Sequence, residues 1–185
     1  MINVLVAGGS GQFGCELVQA FLTDDAYHVK VLSRAGSQHK SLDDLCERGV
    51  HIATADYSRH EDLVCAMRGT DILVSAIHYR SIEKWQPYLI RAAKDAGVRR
   101  VVPALFESDV MQSLTYRDPG EAMRQISDAQ LEYTRYNCGW FYNYLATPFI
   151  GIDLPHQKAT VIGEGNTLIS FMLSSDLARF VAASL

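Results

Sequence analysis

The stretch VLVAGGSGQFGCEL, residues 4–17, passes from an apolar strand through closely spaced glycines into the start of a helix. Gly9, Gly11 and Gly14 satisfy the spacing G-x-G-x-x-G. Glycine permits a tight turn, lets backbone N–H groups approach a pyrophosphate and lets the helix pack closely on the strand. Because the helix N-terminus adds unsatisfied donors and partial positive charge, this segment, the glycine loop (residues 8–14), is predicted to bind a dinucleotide.

Alternating strands and helices follow this loop over the first hundred residues. Strands are expected at 2–7, 28–32, 50–54, 71–77 and 100–105. Helices are expected at about 12–22, 41–48, 58–68 and 81–96, with Ser58 and Ser81 capping the last two. Continuously apolar strands are buried on both faces, which is typical of parallel strands joined by right-handed crossovers. The fold class is therefore α/β, a doubly wound parallel sheet of the Rossmann type.

The pattern becomes less regular after Phe106. An irregular loop is expected at 107–118, a helix at 119–130, a strand at 131–137, a hairpin over 158–171 and a final helix capped by Ser174 or Ser175. A length of 185 residues predicts one domain, residues 1–185.

Composition excludes several classes of protein. The chain is 48 % hydrophobic and 21 % charged, with a net charge of −4, so it lacks the basic stripe of nucleic-acid-binding proteins. Its four cysteines include no C-x-x-C pair and its six histidines show no metal-ligand spacing, so free thiols and no metal are expected. The first strand begins at Ile2 and no apolar run approaches membrane-spanning length, which predicts a cytoplasmic protein without membrane contact.

The end of the second strand predicts which dinucleotide binds. NAD sites carry an acidic residue there for the ribose hydroxyls. This chain has Ser33 and Arg34 instead. A guanidinium suits a 2′-phosphate through its charge and its planar fork of donors, so NADP(H) is the predicted cofactor. Lys40 is either a second contact or a solvated charge.

Further cofactor contacts are predicted from the order of the strands. They comprise the whole glycine loop (Gly8, Gly9, Ser10, Gly11, Gln12, Phe13, Gly14) and residues that follow later strands (Arg34, Asp56, Ser75, Ala76, Ile77, Pro103). Ser75, Ala76 and Ile77 are expected near the ribose and nicotinamide, and the segment from Pro103 through Ala104 and Leu105 to Phe106 is expected near the nicotinamide. Asp56 is either close to the adenine or an ordinary turn residue.

Several motifs together resemble the NmrA-like and isoflavone-reductase-like group of atypical short-chain dehydrogenases. They are the glycine loop, LSR at 32–34, GVRRVVPALFESD at 97–109, LEYTRYNCGWFYNYL at 131–145 and VIGEGNTLISFMLSSDLARFVAASL at 161–185. The resemblance covers almost the whole chain in order. It implies an NADPH-binding fold and either reduction of small aromatic molecules or a redox-sensing role without catalysis.

The chain departs from that family pattern in two respects. Family reductases depend on a lysine at the start of the helix before the YT strand, and a gapless match from Thr134 places Pro119 at that position. Residues 95–157 contain no lysine. Family reductases also continue well beyond the last helix, so the resemblance implies a reduced substrate-binding part. Either the protein is a naturally short member, or a protein partner or a second copy covers the site.

Proton donors are therefore sought elsewhere in the sequence. His78 follows the predicted nicotinamide-side strand, and Tyr116 lies on a loop where a substrate could rest. Glu107 lies beyond the fifth strand, where open α/β sheets bind ligands, but helix capping is an alternative role. The aromatic residues Trp140, Phe141, Tyr142 and Tyr144 favour either stacking on a flat substrate or a core or dimer surface.

The sequence thus predicts an NADPH-dependent reductase of a small aromatic or polyketide-like metabolite. Two alternatives stay open: a non-catalytic NADP-binding sensor, and a non-redox isomerase or cyclase that uses His78, Tyr116 or Glu107 as its acid–base group. Expected partners are a small aromatic substrate and either a second copy or another protein.

Overall fold

The computed structural model of the chain describes residues 1–37, 39–106, 119–145, 147–161 and 163–185. The irregular loop predicted at 107–118 lies outside these residues.

Six parallel strands form the main sheet. They are β1 (Ile2–Ala7), β2 (Tyr27–Arg34), β3 (His51–Ala55), β4 (Ile72–Ser75), β5 (Arg100–Val102) and β6 (Glu132–Tyr133). Their spatial order is β3-β2-β1-β4-β5-β6. The chain changes its direction of travel across the sheet between β3 and β4, which makes the carboxyl ends of β1 and β4 the switch point where such sheets bind ligands. The predicted doubly wound parallel sheet is confirmed.

Helices cover both faces of this sheet. They are α1 (Gln12–Phe21), α2 (Lys40–Glu47), α3 (His60–Met67), α4 (Tyr79–Asp95), α5 (Pro119–Asp128) and α6 (Ser174–Ser184). Successive side chains of a strand point to opposite faces. Val4 and Val6 of β1 accordingly join the core with α1, α2 and α6, whereas Leu5 and Ala7 join the core with α3, α4 and α5. Because both faces of the sheet are buried, the glycine loop leaves a rigid strand.

Two predicted helix caps are wrong. Arg59, not Ser58, precedes α3, because the Ser58 hydroxyl donates instead to Oδ1 of Asp56 at 2.7 Å. Ser81 lies inside α4, which begins two residues earlier with His78 as its N-cap. A histidine ring nitrogen accepts a backbone N–H there, a role that the usual Ser, Thr, Asp and Asn preference does not anticipate.

Other element boundaries also differ from the sequence prediction. β4 ends at Ser75, two residues short of the predicted strand, and β6 is only two residues long. β5 ends at Val102 because the next residue, Pro103, has no N–H to donate to a ladder. α6 begins at Ser174 and follows Leu173, so neither predicted serine is its N-cap.

The hairpin predicted over 158–171 is wrong. Lys158–Ala159 (β9) pairs antiparallel with Ile152–Asp153 (β8), on the N-terminal side of the predicted hairpin. Phe171–Met172 (β10) pairs in parallel with Trp140–Phe141 (β7), about thirty residues earlier. Both arms therefore find partners outside the predicted turn. Tertiary contacts override the local turn pattern in this part of the chain.

The described residues contain no helix long and apolar enough to cross a membrane. Nor does that part of the chain bring together three or more His, Cys, Asp or Glu side chains that could hold a metal ion.

Candidate functional site

A cavity of about 750 Å³ opens at the carboxyl ends of the central strands. It is lined by the glycine loop, the end of β2 with its following loop, Tyr57 after β3, the segment after β4 with the start of α4, and residues that follow β5 and β6. The cavity therefore lies at the switch point between β1 and β4, where the topology of the sheet predicts a ligand.

Two glycines allow the close approaches on which the loop depends. Gly8 has a φ of +82°, and a Cβ there would lie 2.6 Å from the carbonyl oxygen of Ala76. A Cβ on Gly14 would lie 2.1 Å from the carbonyl oxygen of Gly8. The loop is therefore pressed between the end of β4 and the first turn of α1, with no room for a side chain at either position.

The N-terminus of α1 opens into this cavity. Gly11 is the N-cap and provides no side-chain cap, and its own N–H donates to the carbonyl of Gly8 at 2.9 Å. Gly11, Gln12 and Phe13 all line the cavity. The first-turn N–H groups of a helix have no intrahelical acceptors, so this end of α1 suits an anion.

Side chains behind the loop bind its carbonyl groups. The Cys15 thiol donates to the carbonyl oxygen of Gly9 at 3.2 Å, and the Ser41 hydroxyl of α2 donates to that of Ser10 at 3.0 Å. Burial raises the pKa of the Cys15 thiol, which keeps it protonated and able to donate. With these two carbonyls engaged inside the protein, the electrostatics of the loop favour a negatively charged ligand.

A positive charge marks one end of the cavity. Arg34, the last residue of β2, is exposed and carries the one permanent positive charge among the described lining residues. Tyr57 lies beside it: burial raises the pKa of the Tyr57 hydroxyl, and the charge of Arg34 opposes that rise. Ser37 and His39 line the same end. Lys40 begins α2 and does not line the cavity.

The segment after β4 forms the middle of the cavity wall. Ala76, Ile77 and His78 line it. That Ala76 and Ile77 approach a ribose and nicotinamide stays a prediction. Nδ1 of His78 accepts the N–H of Arg80 at 3.3 Å, and its ring lies 4.4 Å from the ring of Tyr79. His78 therefore both lines the cavity and caps α4.

Five of the predicted cofactor residues do not line the cavity: Gly9, Gly14, Asp56, Ser75 and Pro103. The two glycines pack inside the strand–helix turn. Asp56 is exposed, and its bonds from the hydroxyl and N–H of Ser58 lower the pKa of its carboxyl, as in a turn residue. Ser75 and Pro103 are buried directly behind residues that do line the cavity.

Aromatic side chains that follow β6 form another part of the cavity lining. Trp140, Phe141 and Tyr144, which we call the aromatic wall, line the cavity, although Tyr144 is 40 % exposed; Tyr142 is exposed as well and does not line the cavity. The ring of Phe141 lies 5.2 Å from that of Phe13 in the glycine loop. The cluster predicted at 140–144 is thus divided between the cavity and the surface.

The sequence analysis missed several residues that line the cavity. They include Ser37, His39, Tyr79, Ile82 and Trp85, whereas Ala104 and Phe106 belong to the segment after β5 that was expected at the nicotinamide. The helical spacing of Trp85, Leu89 and Ala92 indicates a buried face of α4 but does not show that Trp85 lines a cavity, because the same spacing serves both. Tyr116 and Glu107, the other predicted acid–base candidates, lie outside the described residues.

Known proteins share both sequence and fold with this chain. It is 29 % identical over 205 residues to a bifunctional pinoresinol-lariciresinol reductase of Linum perenne, a match covering 96 % of this chain and 63 % of that protein. It is 32 % identical over 199 residues to asnovolin J 5′,6′-dehydrogenase nvfM of Aspergillus novofumigatus, covering 98 % and 59 %. The chain thus spans about three-fifths of the length of these relatives.

A solved structure extends the likeness to three dimensions. AtPrR2 with NADP⁺ and (+)-pinoresinol superposes with a TM-score of 0.80 at 26 % identity, covering all of this chain and 65 % of that one. The sequence profile of the NmrA-like family matches residues 2–157. With the parallel sheet, the glycine loop and this match in agreement, the chain belongs to the NmrA-like family.

Proposed function

We propose that the chain binds NADP(H), with the pyrophosphate on the glycine loop and the 2′-phosphate at Arg34. The observation that carries this proposal is the shared cavity, which joins the N-terminus of α1 to an exposed guanidinium at the end of β2. The residues fit the cofactor. The glycine loop admits no Cβ at Gly8 or Gly14, its N–H donors match the pyrophosphate, and the Arg34 guanidinium matches the 2′-phosphate.

The remaining contacts follow from the layout of the cavity. Ser10, Gly11, Gln12 and Phe13 would hold the pyrophosphate, with Gly9 and Gly14 acting through the packing of the turn. Ser37 and His39 would join Arg34 at the 2′-phosphate. Ala76 and Ile77 would border the ribose and nicotinamide, while Ser75 and Pro103 support them from behind. Asp56 has no contact in this proposal because its carboxylate is engaged in its own turn.

The activity we propose is NADPH-dependent reduction of a small aromatic or polyketide-like metabolite. Two relatives are a reductase and a dehydrogenase, and the AtPrR2 structure contains NADP⁺ together with the aromatic pinoresinol. Bound NADPH would supply the hydride. The chain's own residues would hold the substrate against the aromatic wall and exclude water with Ile82 and Trp85.

His78 is the proposed proton donor among the described residues that line the cavity. Its Nε2 is the ring nitrogen left for a substrate, because Nδ1 accepts the N–H of Arg80. This assignment matters because a gapless match to the family pattern puts Pro119, and not a lysine, at the position of the lysine on which family reductases depend. The same observation favours a second function, a non-catalytic NADP-binding sensor.

Calorimetric titration with NADPH, NADP⁺, NADH and NAD⁺ tests the proposal. Arg34→Ala should weaken NADPH binding at least tenfold and leave NADH binding nearly unchanged, because only NADPH carries the 2′-phosphate. Arg91→Ala, an exposed arginine of α4 outside the cavity, is the matched control. If the wild-type protein binds none of the four nucleotides, the proposal is wrong.

A substrate screen that follows nicotinamide absorbance separates the two functions. A reductase consumes NADPH with an aromatic ketone or enone, and His78→Phe should slow that turnover without loss of NADPH affinity. A sensor binds the oxidised and reduced nucleotides with different affinities and consumes neither.

A further inference from the structure

Gln86 is a polar residue inside an otherwise apolar helix face. Its side chain is fully buried, at 0 % exposure, on the same helix as the buried residues Leu89, Ile90 and Ala93. Burial of an amide costs free energy unless hydrogen bonds replace those it made with water. An apolar side chain of similar length would avoid this cost, so the position calls for a specific polar contact.

That contact joins α4 to the backbone beyond β5. Oε1 of Gln86 accepts the N–H of Ala104 at 3.2 Å. The ladder of β5 ends at Val102, and Pro103 has no N–H, so Ala104 is the first residue after β5 that can donate to a partner outside the sheet. The bond therefore fixes the chain where the strand no longer holds it.

Two other polar atoms at this point lack a hydrogen-bond partner in the part of the chain that the structure describes. Nε2 of Gln86 and Oγ of Ser75 are both buried and lack a hydrogen-bond partner within the described residues. Ser75 follows Val74, which pairs with Val102, so it lies beside the same strand end. Of the two polar atoms of the Gln86 amide, only Oε1 therefore has a hydrogen bond among the described residues. That bond to Ala104 is the contact that explains why a polar side chain is buried here.

The fixed segment is part of the cavity wall. Ala104 and Phe106 line the cavity from the sheet side, and Ile82 and Trp85 line it from α4, the helix that carries Gln86. The ring of Phe106 also packs against Phe13 of the glycine loop, with centroids 4.9 Å apart. The bond from Gln86 therefore sets the distance between two sides of the cavity.

We propose that Gln86 is a positioning residue for the nicotinamide half of the site. It does not line the cavity; it acts through Ala104, holding the wall from Ala104 to Phe106 against α4. The inference rests on the proposed NADP(H) function, because the carboxyl ends of β4 and β5 are where that proposal places the nicotinamide. The adenine half lies at the other end of the cavity, beside Arg34.

Two ligands that share the adenine half test this role. NADPH and adenosine 2′,5′-bisphosphate are titrated into the wild-type protein, Gln86→Met and Gln86→Asn. Methionine keeps the length but removes the amide, and asparagine keeps the amide but is one methylene shorter. Both variants should bind NADPH about tenfold more weakly, as expected for one lost hydrogen bond, and bind the bisphosphate as the wild type does.

Leu89→Ala is the matched control, since Leu89 is equally buried on α4 and does not line the cavity. It should lower the melting temperature and leave the ratio of the two affinities unchanged. The inference is overturned if the Gln86 variants lose both ligands equally, lose neither, or fail to fold where Leu89→Ala folds. Wild-type protein that binds neither ligand would overturn the proposed function together with this inference.

Discussion

The glycine loop and the aromatic wall line the same cavity, but the structure supports them in different ways. The loop leaves β1, which pairs with β2 from Ile2 to Ala7 and with β4 on its other side. The aromatic wall begins in β7, a two-residue strand that pairs only with β10 among the described strands. Side chains on the loop are therefore placed by a continuous ladder, and those on the wall by a few contacts between distant residues.

Because of this difference, we expect the glycine loop and the aromatic wall to tolerate substitutions to different degrees. The glycine loop continues directly from the central strand β1, so a substitution that disturbs the loop should destabilise the whole fold. The wall is joined to the rest of the molecule through fewer bonds, so a change there should alter the ligand end of the cavity at lower cost in stability. Substitutions at four positions test that comparison.

Gly14→Ala should have the largest effect. Its Cβ would lie 2.1 Å from the Gly8 carbonyl oxygen and 2.8 Å from both the Gly8 carbonyl carbon and the Gly9 Cα. We expect a loss of about 3 kcal/mol in the free energy of unfolding, measured by denaturant titration, and no measurable NADPH binding. Gly11→Ala is the control, because its nearest contact is 3.3 Å, and it should cost below about 1 kcal/mol. Equal losses in both variants would contradict the crowding argument.

Gly139→Ala should disturb the wall at a smaller cost. A Cβ there would meet the carbonyl oxygen of Ser170 at 2.2 Å, the same oxygen that accepts the Trp140 N–H at 2.9 Å. We expect about 2 kcal/mol of destabilisation and a shift in tryptophan fluorescence, with NADPH affinity less affected than in Gly14→Ala. Ser170→Ala, which keeps this backbone contact, should match the wild type. A complete loss of nucleotide binding in Gly139→Ala would mean that the wall is no more independent than the loop.

Phe13→Leu tests the point where the two regions meet. The Phe13 ring contacts Phe106 at 4.9 Å and Phe141 at 5.2 Å. Loss of these ring contacts should cost about 1 kcal/mol in thermal or denaturant unfolding. Phe180→Leu is the control, since that ring is 61 % exposed, and its effect should stay within about 0.5 kcal/mol. If the two substitutions cost the same, the loop and the wall do not support each other.

Substitution of Asp71 should have the smallest effect on the free energy of unfolding, and that effect should depend on pH. Its carboxylate accepts the N–H of Asn3 at 2.8 Å and the Asn3 side-chain amide at 3.0 Å, and these bonds lower its pKa. The ionised form therefore stabilises the fold above the unfolded pKa of about 4, and this contribution is lost as the pH falls through the lower, folded pKa.

Asp71→Asn should consequently cost below about 1 kcal/mol at neutral pH and nothing below the folded pKa. Unfolding free energies of both proteins, measured from about pH 7 to about pH 3, would show this as converging curves. Parallel curves would assign the stabilisation to a group other than Asp71.

The sheet and the glycine loop could be predicted because their signals are local. Apolar strands alternate with amphipathic helices, and the glycine spacing of the loop lies within one short stretch, although Gly8 packs against the distant carbonyl of Ala76. The same reasoning missed the helix cap at His78, because capping depends on which side chain reaches an N–H. It also misassigned 158–171, because the pairing of Phe171 with Trp140 joins residues that no local pattern connects.

Local pattern alone was thus enough for the alternation of strands and helices over the first hundred residues and for the place of the glycine loop. Tertiary structure determined that Ser37 and His39 lie with Arg34, that the aromatic wall lines the cavity, and that Gln86 reaches Ala104. Periodicity carries information over a few turns of a helix or a single strand, whereas these contacts depend on how separate elements pack. The half of the cavity beside the glycine loop could therefore be predicted from the sequence pattern. The half beside the aromatic wall could not, because it depends on how separate elements pack.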